Sequence, residues 1–502
     1  MSAGAPCTLG IDIGTYASKG VLVDRDGRLV ASAERQHTML VPRPGWAEHR
    51  PREDWWDAVV GITQELLARS GVRPADVAAV GTSAIGPCML PVDAAGEPLM
   101  NAVLYGVDGR AQAEIDELDA RIGAGRVLAD CGNALTSQSV GPKILWLKRN
   151  RPEIYAAAHR IVGATPWIVH RLTGRWIVDH YSAASCGPLY RVDEQRWTDH
   201  LAPDIVPLDR LPELGWTTDV AGRVSARAAA ETGLAEGTPV IVGTIDAAAE
   251  ALSVGVRAPG DLMIMYGSTI FMILVTPERV KDPRLWYAPW LFPGWHASMA
   301  GLATSGTLTH WFRDQLARDL PPEAAIPALA AEAAQSPPGA RGLVLLPYFS
   351  GERTPIHDSR ARGVLFGLTL AHERADIARA LFEGIAFGTN HALEALAESG
   401  HPPRFAYAVG GGTRNAVWSQ ATSDIAGLAQ VVRETTVGAS YGDAFLAAIG
   451  VGLASLDDIE RWNPVTREIR PDPARRDLYR RQEIVFRELY ARTGDLMHGL
   501  AT

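Results

Sequence analysis

Asp12, Gly14, Thr15 and Lys19 fall within one short stretch, LGIDIGTYASKGVLV at residues 9–23, and together their chemistry suits a polyphosphate. Asp12 closes an apolar run, which sets a carboxylate at the mouth of a sheet. Gly14 lets backbone approach a ligand, Thr15 offers a hydroxyl, and Lys19 supplies a point charge of the kind that binds phosphate. The stretch reads as a phosphate-cradling β-hairpin. Half a chain later, DLMIMYGSTIFMILV at residues 261–275 repeats the pattern, with Gly267, Ser268 and Thr269 at its turn. Two copies at that spacing predict duplicated domains facing each other across a cleft.

A third stretch, VIVGTIDAAAE at residues 240–250, runs from an apolar strand through Gly243 into an alanine-rich helix. Asp246 lies at the start of that helix, beside amides and a positive helix end, either as an N-cap or as a reactive carboxylate. In LYGVDGR, Asp108 and Arg110 either bind a polyol's hydroxyls or pair with each other. Gly410, Gly411 and Gly412 follow an apolar strand, where bare backbone can meet a planar ligand or a phosphate. Neither a GxGxxG fingerprint nor a GxxxxGK[ST] loop occurs, so a Rossmann dinucleotide site and a P-loop both lack support.

These residues need a large scaffold, and 502 residues suit two large domains or three smaller ones. The 47% hydrophobic and 21% charged content is that of a globular chain, and a net charge of -9 argues against nucleic acid or an anionic membrane as partner. Residues 239–256 are the best candidate for a membrane span, yet they carry Asp246 and Glu250 and read instead as a buried strand followed by a helix. The N-terminus lacks a basic-then-apolar signal pattern. Cys7, Cys88, Cys131 and Cys186 form no CxxC pair and read as the reduced thiols of a cytoplasmic protein. Trp55 and Trp56 begin an apolar stripe through Val59, Ile62 and Leu66, so a core role is expected of them. Near the C-terminus, Leu478, Ile484, Val485 and Leu489 predict the docked face of a terminal helix.

Taken together, the pieces resemble the FGGY family of carbohydrate kinases, xylulokinases in particular, over nearly the whole chain. The resemblance rests on DIGT at residues 12–15, PGW followed by DWW, DGR at 108–110, KILWL at 143–147, LTG at 172–174 and DAAA at 246–249. It continues through the YGST turn, GVLFGL with its following helix, and GGGTRN. It implies an α/β fold of two ribonuclease H/actin-like domains, residues 1–254 and 255–502, with ATP, Mg2+ and a small ketose or polyol in the cleft between them.

The resemblance also implies roles. Asp246 would be the catalytic base and, with Asp12, a Mg2+ carboxylate. Gly14, Thr15 and Lys19 would meet phosphate oxygens from one side, and Gly267, Ser268 and Thr269 from the other. Gly306 would be a further phosphate-proximal glycine, and Gly411 with Asn415 the nucleotide-binding turn. Gly86, Pro87, Tyr105, Asp108, Asp246 and Ala247 would face the sugar.

Three departures bear on that sugar. Gly86-Pro87 stands where xylulokinases usually carry Met-His, Ala247 where they carry Asn, and Tyr105-Gly106-Val107 where they carry Leu-Trp-Asn. A roomier or less polar pocket is expected, since each lost partner in a buried site is worth about 1–3 kcal/mol. A pentulose such as xylulose, another polyol, a tetrulose and a sugar acid are the candidate acceptors. A nucleotide-binding sensor or scaffold without catalysis is the non-enzyme alternative, and the resemblance leaves room for a homodimer.

Overall fold

A computed structural model describes residues 6–500, apart from the side chains of 322 and 323. Its frame is two seven-stranded sheets. In the first, Cys7–Ile13 and Ala17–Asp24 form the antiparallel hairpin, and Leu29–Gln36 continues it antiparallel on one side. On the other side Val77–Ala84 runs parallel to Cys7–Ile13, followed by parallel Pro239–Ile241 and antiparallel Val220–Arg223.

The second sheet repeats the plan. Asp261–Tyr266 and Ile270–Thr276 form its hairpin, and His296–Leu302 extends it antiparallel. Across from them, Phe405–Val409 pairs parallel with Asp261–Tyr266, followed by parallel Gln430–Arg433 and antiparallel Val465–Ile469. The duplication expected from the two hairpins is therefore present in six strands of each sheet, the seventh being Thr244–Ile245 beside Val77–Ala84 in the first and Trp286–Pro289 at the edge of the second. This is an α/β fold of two ribonuclease H/actin-like domains.

The sheets explain why the hairpin strands read as continuous apolar runs. Helices cover both faces, so a strand such as Cys7–Ile13 is buried almost throughout instead of alternating. One covering helix comes from the far end of the chain. Ala439–Gly450 is rich in alanine and glycine and lies on the first sheet, where Gly10 and Gly81 admit it. A Cβ on Gly10 would stand 1.9 Å from the Ser440 carbonyl, and one on Gly81 would stand 2.1 Å from that of Asp443. The helix Asp246–Ser253 packs against the same element, with Gly442 so close that a Cβ there would lie 1.9 Å from the Ala249 carbonyl. A second join lies elsewhere: the Asn133 side chain pairs with the Tyr287 backbone, donating to its carbonyl and accepting from its N–H, both at 2.8 Å.

Trp55 and Trp56 are in the core, as their spacing predicted. The terminal helix Arg476–Leu500 docks as expected but on a rotated face. Tyr479, Gln482, Phe486 and Leu489 are buried, whereas Ile484 is 61% exposed. The rotation lets the Tyr479 hydroxyl reach the buried Glu383 carboxylate at 2.8 Å, and puts the Phe486 ring against Tyr348 and Phe387. Among the described residues, no helix is long and apolar enough to cross a membrane.

Candidate active site

The two hairpin turns open on a cavity of about 400 Å³. Asp12 and Thr15 reach it from the first hairpin, Thr269 from the second, Asp246 and Glu250 from their shared helix, and Tyr105 from a loop. Gly86, Pro87 and Ala247 also line it. Residues from distant parts of the sequence thus share one space.

Three carboxylates face that space, and crowding with burial disfavours their charge. Burial lifts Asp246 to about 7. Burial and then the Asp246 charge lift Glu250 to about 7, with Lys19 opposing. Asp12 is driven well above the carboxylate range by burial, then by Asp246 and Glu250, against a Ser83 hydrogen bond and the Lys19 charge. Asp246 is not the helix cap. It is the first helical residue, and its Oδ1 accepts from the Ala247 N–H at 2.7 Å. Glu250 lies one turn further on the same face, and that i, i+4 spacing was a signal in the sequence that identified no site.

Asp12 has support from the far half of the chain. Ser83 Oγ lies 2.7 Å from Asp443 Oδ2 and 3.3 Å from Asp12 Oδ1. Asp443 is fully buried, and burial followed by the Asp12 charge holds its carboxyl well above the ordinary range. A single hydroxyl proton cannot serve two carboxylates, so the arrangement favours a protonated Asp443 that frees Ser83 to serve Asp12. The only sequence trace of this group was one acid in an otherwise small, apolar helix.

The first turn is held from behind. Gly14 N–H donates to the Ala17 carbonyl at 3.0 Å, closing the hairpin. Trp55 Nε1 donates to His49 Nδ1 at 3.0 Å, which leaves His49 Nε2 to donate to the Thr15 carbonyl at 3.0 Å. Thr15 Oγ1 lies 3.3 Å from the Tyr105 hydroxyl. Tyr105 is fixed in turn by the buried Lys143, whose ammonium donates to the Leu104 and Tyr105 carbonyls. Lys19 stands opposite Asp12 across the hairpin register.

The second turn is a double loop. Gly306, Ser305 and Thr307 donate backbone N–H groups to the carbonyls of Gly267 and Ser268 at 3.0–3.1 Å. A Cβ on Gly306 would stand 2.4 Å from the Gly267 carbonyl, so loop contact alone requires glycine there. The three-glycine turn divides in a similar way. A Cβ on Gly410 would meet the Tyr266 carbonyl at 2.6 Å, and one on Gly412 the Trp418 ring at 2.5 Å. Gly411 faces open space, with nothing nearer than Arg414 at 4.0 Å. Asn415 caps the helix Ala416–Ala426, its side chain accepting from the Trp418 N–H at 3.1 Å.

One expected sugar contact is corrected. Asp108 is fully buried and does not line the cavity. Its carboxylate accepts from the Ala47 N–H at 2.7 Å and from Arg110 Nη2 at 2.8 Å, while Trp46 covers the Arg110 guanidinium. The pairing alternative is the one the fold uses, and it anchors the loop that carries Tyr105.

A carboxylate at the head of a helix and two hydroxyl-bearing turns on opposed domains, opening on one cavity, suit a phosphotransferase acting on an alcohol. Residues 7–253 match the N-terminal domain of the FGGY family of carbohydrate kinases, and residues 262–451 match its C-terminal domain. The chain belongs to that family and uses ATP. It is 30% identical to the xylulose kinase of Escherichia coli K12 over 97% of this chain and 99% of that one. The glycerol kinase of Symbiobacterium thermophilum is also 30% identical, over 89% of this chain and 90% of the relative. In structure, the xylulose kinase from Rhodospirillum rubrum superposes with a TM-score of 0.92 at 33% identity, covering 98% of this chain and all of its own.

Proposed function

We propose that the chain transfers the γ-phosphate of ATP to a hydroxyl of a small ketose, xylulose first among the acceptors, with Asp246 as general base. The observation that carries this reading is the Asp246 carboxyl, buried at the head of its helix and lifted to about 7. A base poised near neutrality can take a hydroxyl proton and later release it. Xylulose comes first because the full-length relatives of known name include xylulose kinases.

In this reading Asp246 takes the acceptor's proton, while Thr15, Lys19 and the Gly267, Ser268 and Thr269 turn orient phosphate oxygens. Gly14 and Gly306 keep backbone close to them. Gly411 with Asn415 forms the nucleotide turn, and Gly86, Pro87, Tyr105 and Ala247 shape the sugar pocket. Residues 1–254 and 255–502 act as the halves that close over the substrates and exclude water.

Asp12 and Asp246 fit Mg2+. Their oxygens are hard ligands, and this ion takes one or two protein carboxylates and completes its shell with water and phosphate. Among the described residues no group of three or more His, Cys, Asp or Glu could enclose a metal, so a site shared with phosphate is the arrangement that remains. When bound, the ion would neutralise phosphate charge as the transfer proceeds. The acidic chain is proposed to work in the cytoplasm on a small-molecule acceptor.

A coupled ADP-release assay over pentuloses, tetruloses, polyols and sugar acids tests the reading. Wild type should turn over xylulose, and Asp246→Asn should lose ~10²- to 10⁴-fold in kcat while still binding ATP. Near-wild-type turnover by that variant would reject the base assignment.

A further inference from the structure

The loop FSGERTP contributes Arg353 to the cleft. Arg353 is the only basic side chain among the described residues lining the cavity, and it shares that lining with Asp12, Asp246 and Glu250. Unlike most arginines here, its exposed guanidinium forms no ion pair or hydrogen bond among the described residues. The neighbouring carboxylate, Glu352, is turned inward and occupied, with its Oε1 accepting from the N–H groups of Ala303 and Arg353 at 2.7 Å. Thr354 N–H donates to the Gly301 carbonyl at 3.1 Å. The backbone under Arg353 is therefore fixed to the strand that leads into Ser305 and Gly306, beside the second turn, while its side chain is left without a partner.

That combination has a physical purpose. A phosphoryl group in transfer carries charge on its peripheral oxygens, and a cavity lined by three carboxylates repels it. Lys19 acts from behind the first turn and does not itself line the cavity, so Arg353 is the cation that the second domain adds there. A planar guanidinium suits two oxygens of a phosphoryl or carboxylate group at once.

The geometry points to Arg353 as a further catalytic residue that binds an oxyanion within the cleft, an inference that rests on the kinase reading above. Two sources carry this chemistry: the phosphoryl group in flight, or a carboxylate on the acceptor. In the first case the acceptor oxygen bonds to the γ-phosphorus as the bond from that phosphorus to the bridging oxygen breaks, leaving ADP. The hydroxyl proton goes to Asp246, and Arg353 holds the peripheral oxygens throughout.

The test compares wild type, Arg353→Gln and Arg353→Lys with xylulose and with an aldonate as acceptor, alongside calorimetric titration with inorganic phosphate. Phosphoryl binding predicts that Arg353→Gln loses ~10²-fold or more in kcat with both acceptors, with little change in the KM for ATP. Arg353→Lys should recover part of that loss. Carboxylate binding predicts a loss confined to the aldonate and seen in its KM. Phosphate binding should weaken at least ~10-fold in Arg353→Gln, and this readout needs no turnover. Unchanged kinetics with both acceptors, or unchanged phosphate binding where wild type turns over neither, overturns the inference. Inactivity of wild type with every acceptor counts against the kinase reading and leaves the phosphate titration to decide for Arg353.

Discussion

Ser83 Oγ and Asp443 Oδ2 stand 2.7 Å apart, joining residues 360 positions apart directly behind the Asp12 carboxylate. Asp443 is thereby a positioning residue for Asp12. Asp443→Ala should raise the Mg2+ concentration needed for half-maximal rate by ~10-fold or more, the scale of losing a supporting partner. Asp443→Asn, which keeps a donor to Ser83 but removes a buried acid that resists ionisation, should raise Tm at pH 8. A Mg2+ titration and a thermal melt check the two halves, and an unchanged Mg2+ requirement would exclude the role.

The glycine-rich turn separates packing from ligand binding. Gly410→Ala and Gly412→Ala introduce atoms into the Tyr266 carbonyl and the Trp418 ring, and each should lower stability by about 1–3 kcal/mol. Gly411→Ala faces open space and should leave Tm unchanged while raising the KM for ATP several-fold. Equal effects from all three substitutions would remove Gly411 from the nucleotide site.

His49 holds the first turn through its bond to the Thr15 carbonyl. Burial, followed by the His37 charge, lowers it to about 4, so it works as a neutral ring with Trp55 fixing its tautomer. His49→Ala leaves the Trp55 N–H and the Thr15 carbonyl unpaired and should cost about 1–3 kcal/mol. The KM for ATP should rise more than that for the sugar. Steady-state kinetics in both substrates would reveal the reverse if Thr15 served the acceptor instead.

Asp179 props up the strand that leads into Asp246. Its Oδ2 accepts from Thr244 Oγ1 at 2.7 Å, and burial lifts the carboxyl to about 6 from 3.8. Between those values the unfolded chain releases a proton that the folded protein keeps. Stability from this group is therefore lost as pH rises from about 4 to about 6, and is level above that. Asp179→Asn abolishes this slope, so relative to the variant, wild type should lose up to roughly 3 kcal/mol across the window. Urea unfolding at pH 4.5 and pH 7 measures it, and parallel behaviour of the two proteins would count against the shift.

What the sequence made legible was local. Asp12, Thr15 and Thr269 stand at ends of apolar runs whose length and turns are visible within a dozen residues, and both hairpins formed as expected. Asp246 was visible as the head of a helix, though not as its first residue. The sequence could not choose between ligand binding and internal pairing for Asp108, because Ala47, whose N–H fills one of its carboxylate positions, lies 61 residues away. His49, Asn133 and Asp443 went unseen because their partners come from distant elements or from backbone, which no spacing rule encodes. Gly306 and Gly411 look alike in a sequence, and only their surroundings show that one meets a carbonyl and the other open space.

The late helix Ala439–Gly450 has a consequence for the order of synthesis. The face of the first sheet that bears Gly10 and Gly81 stays uncovered until that helix leaves the ribosome, so the first domain waits for the second before its core closes. Such a nascent chain exposes its oldest strands longest, including the hairpin that later holds Asp12.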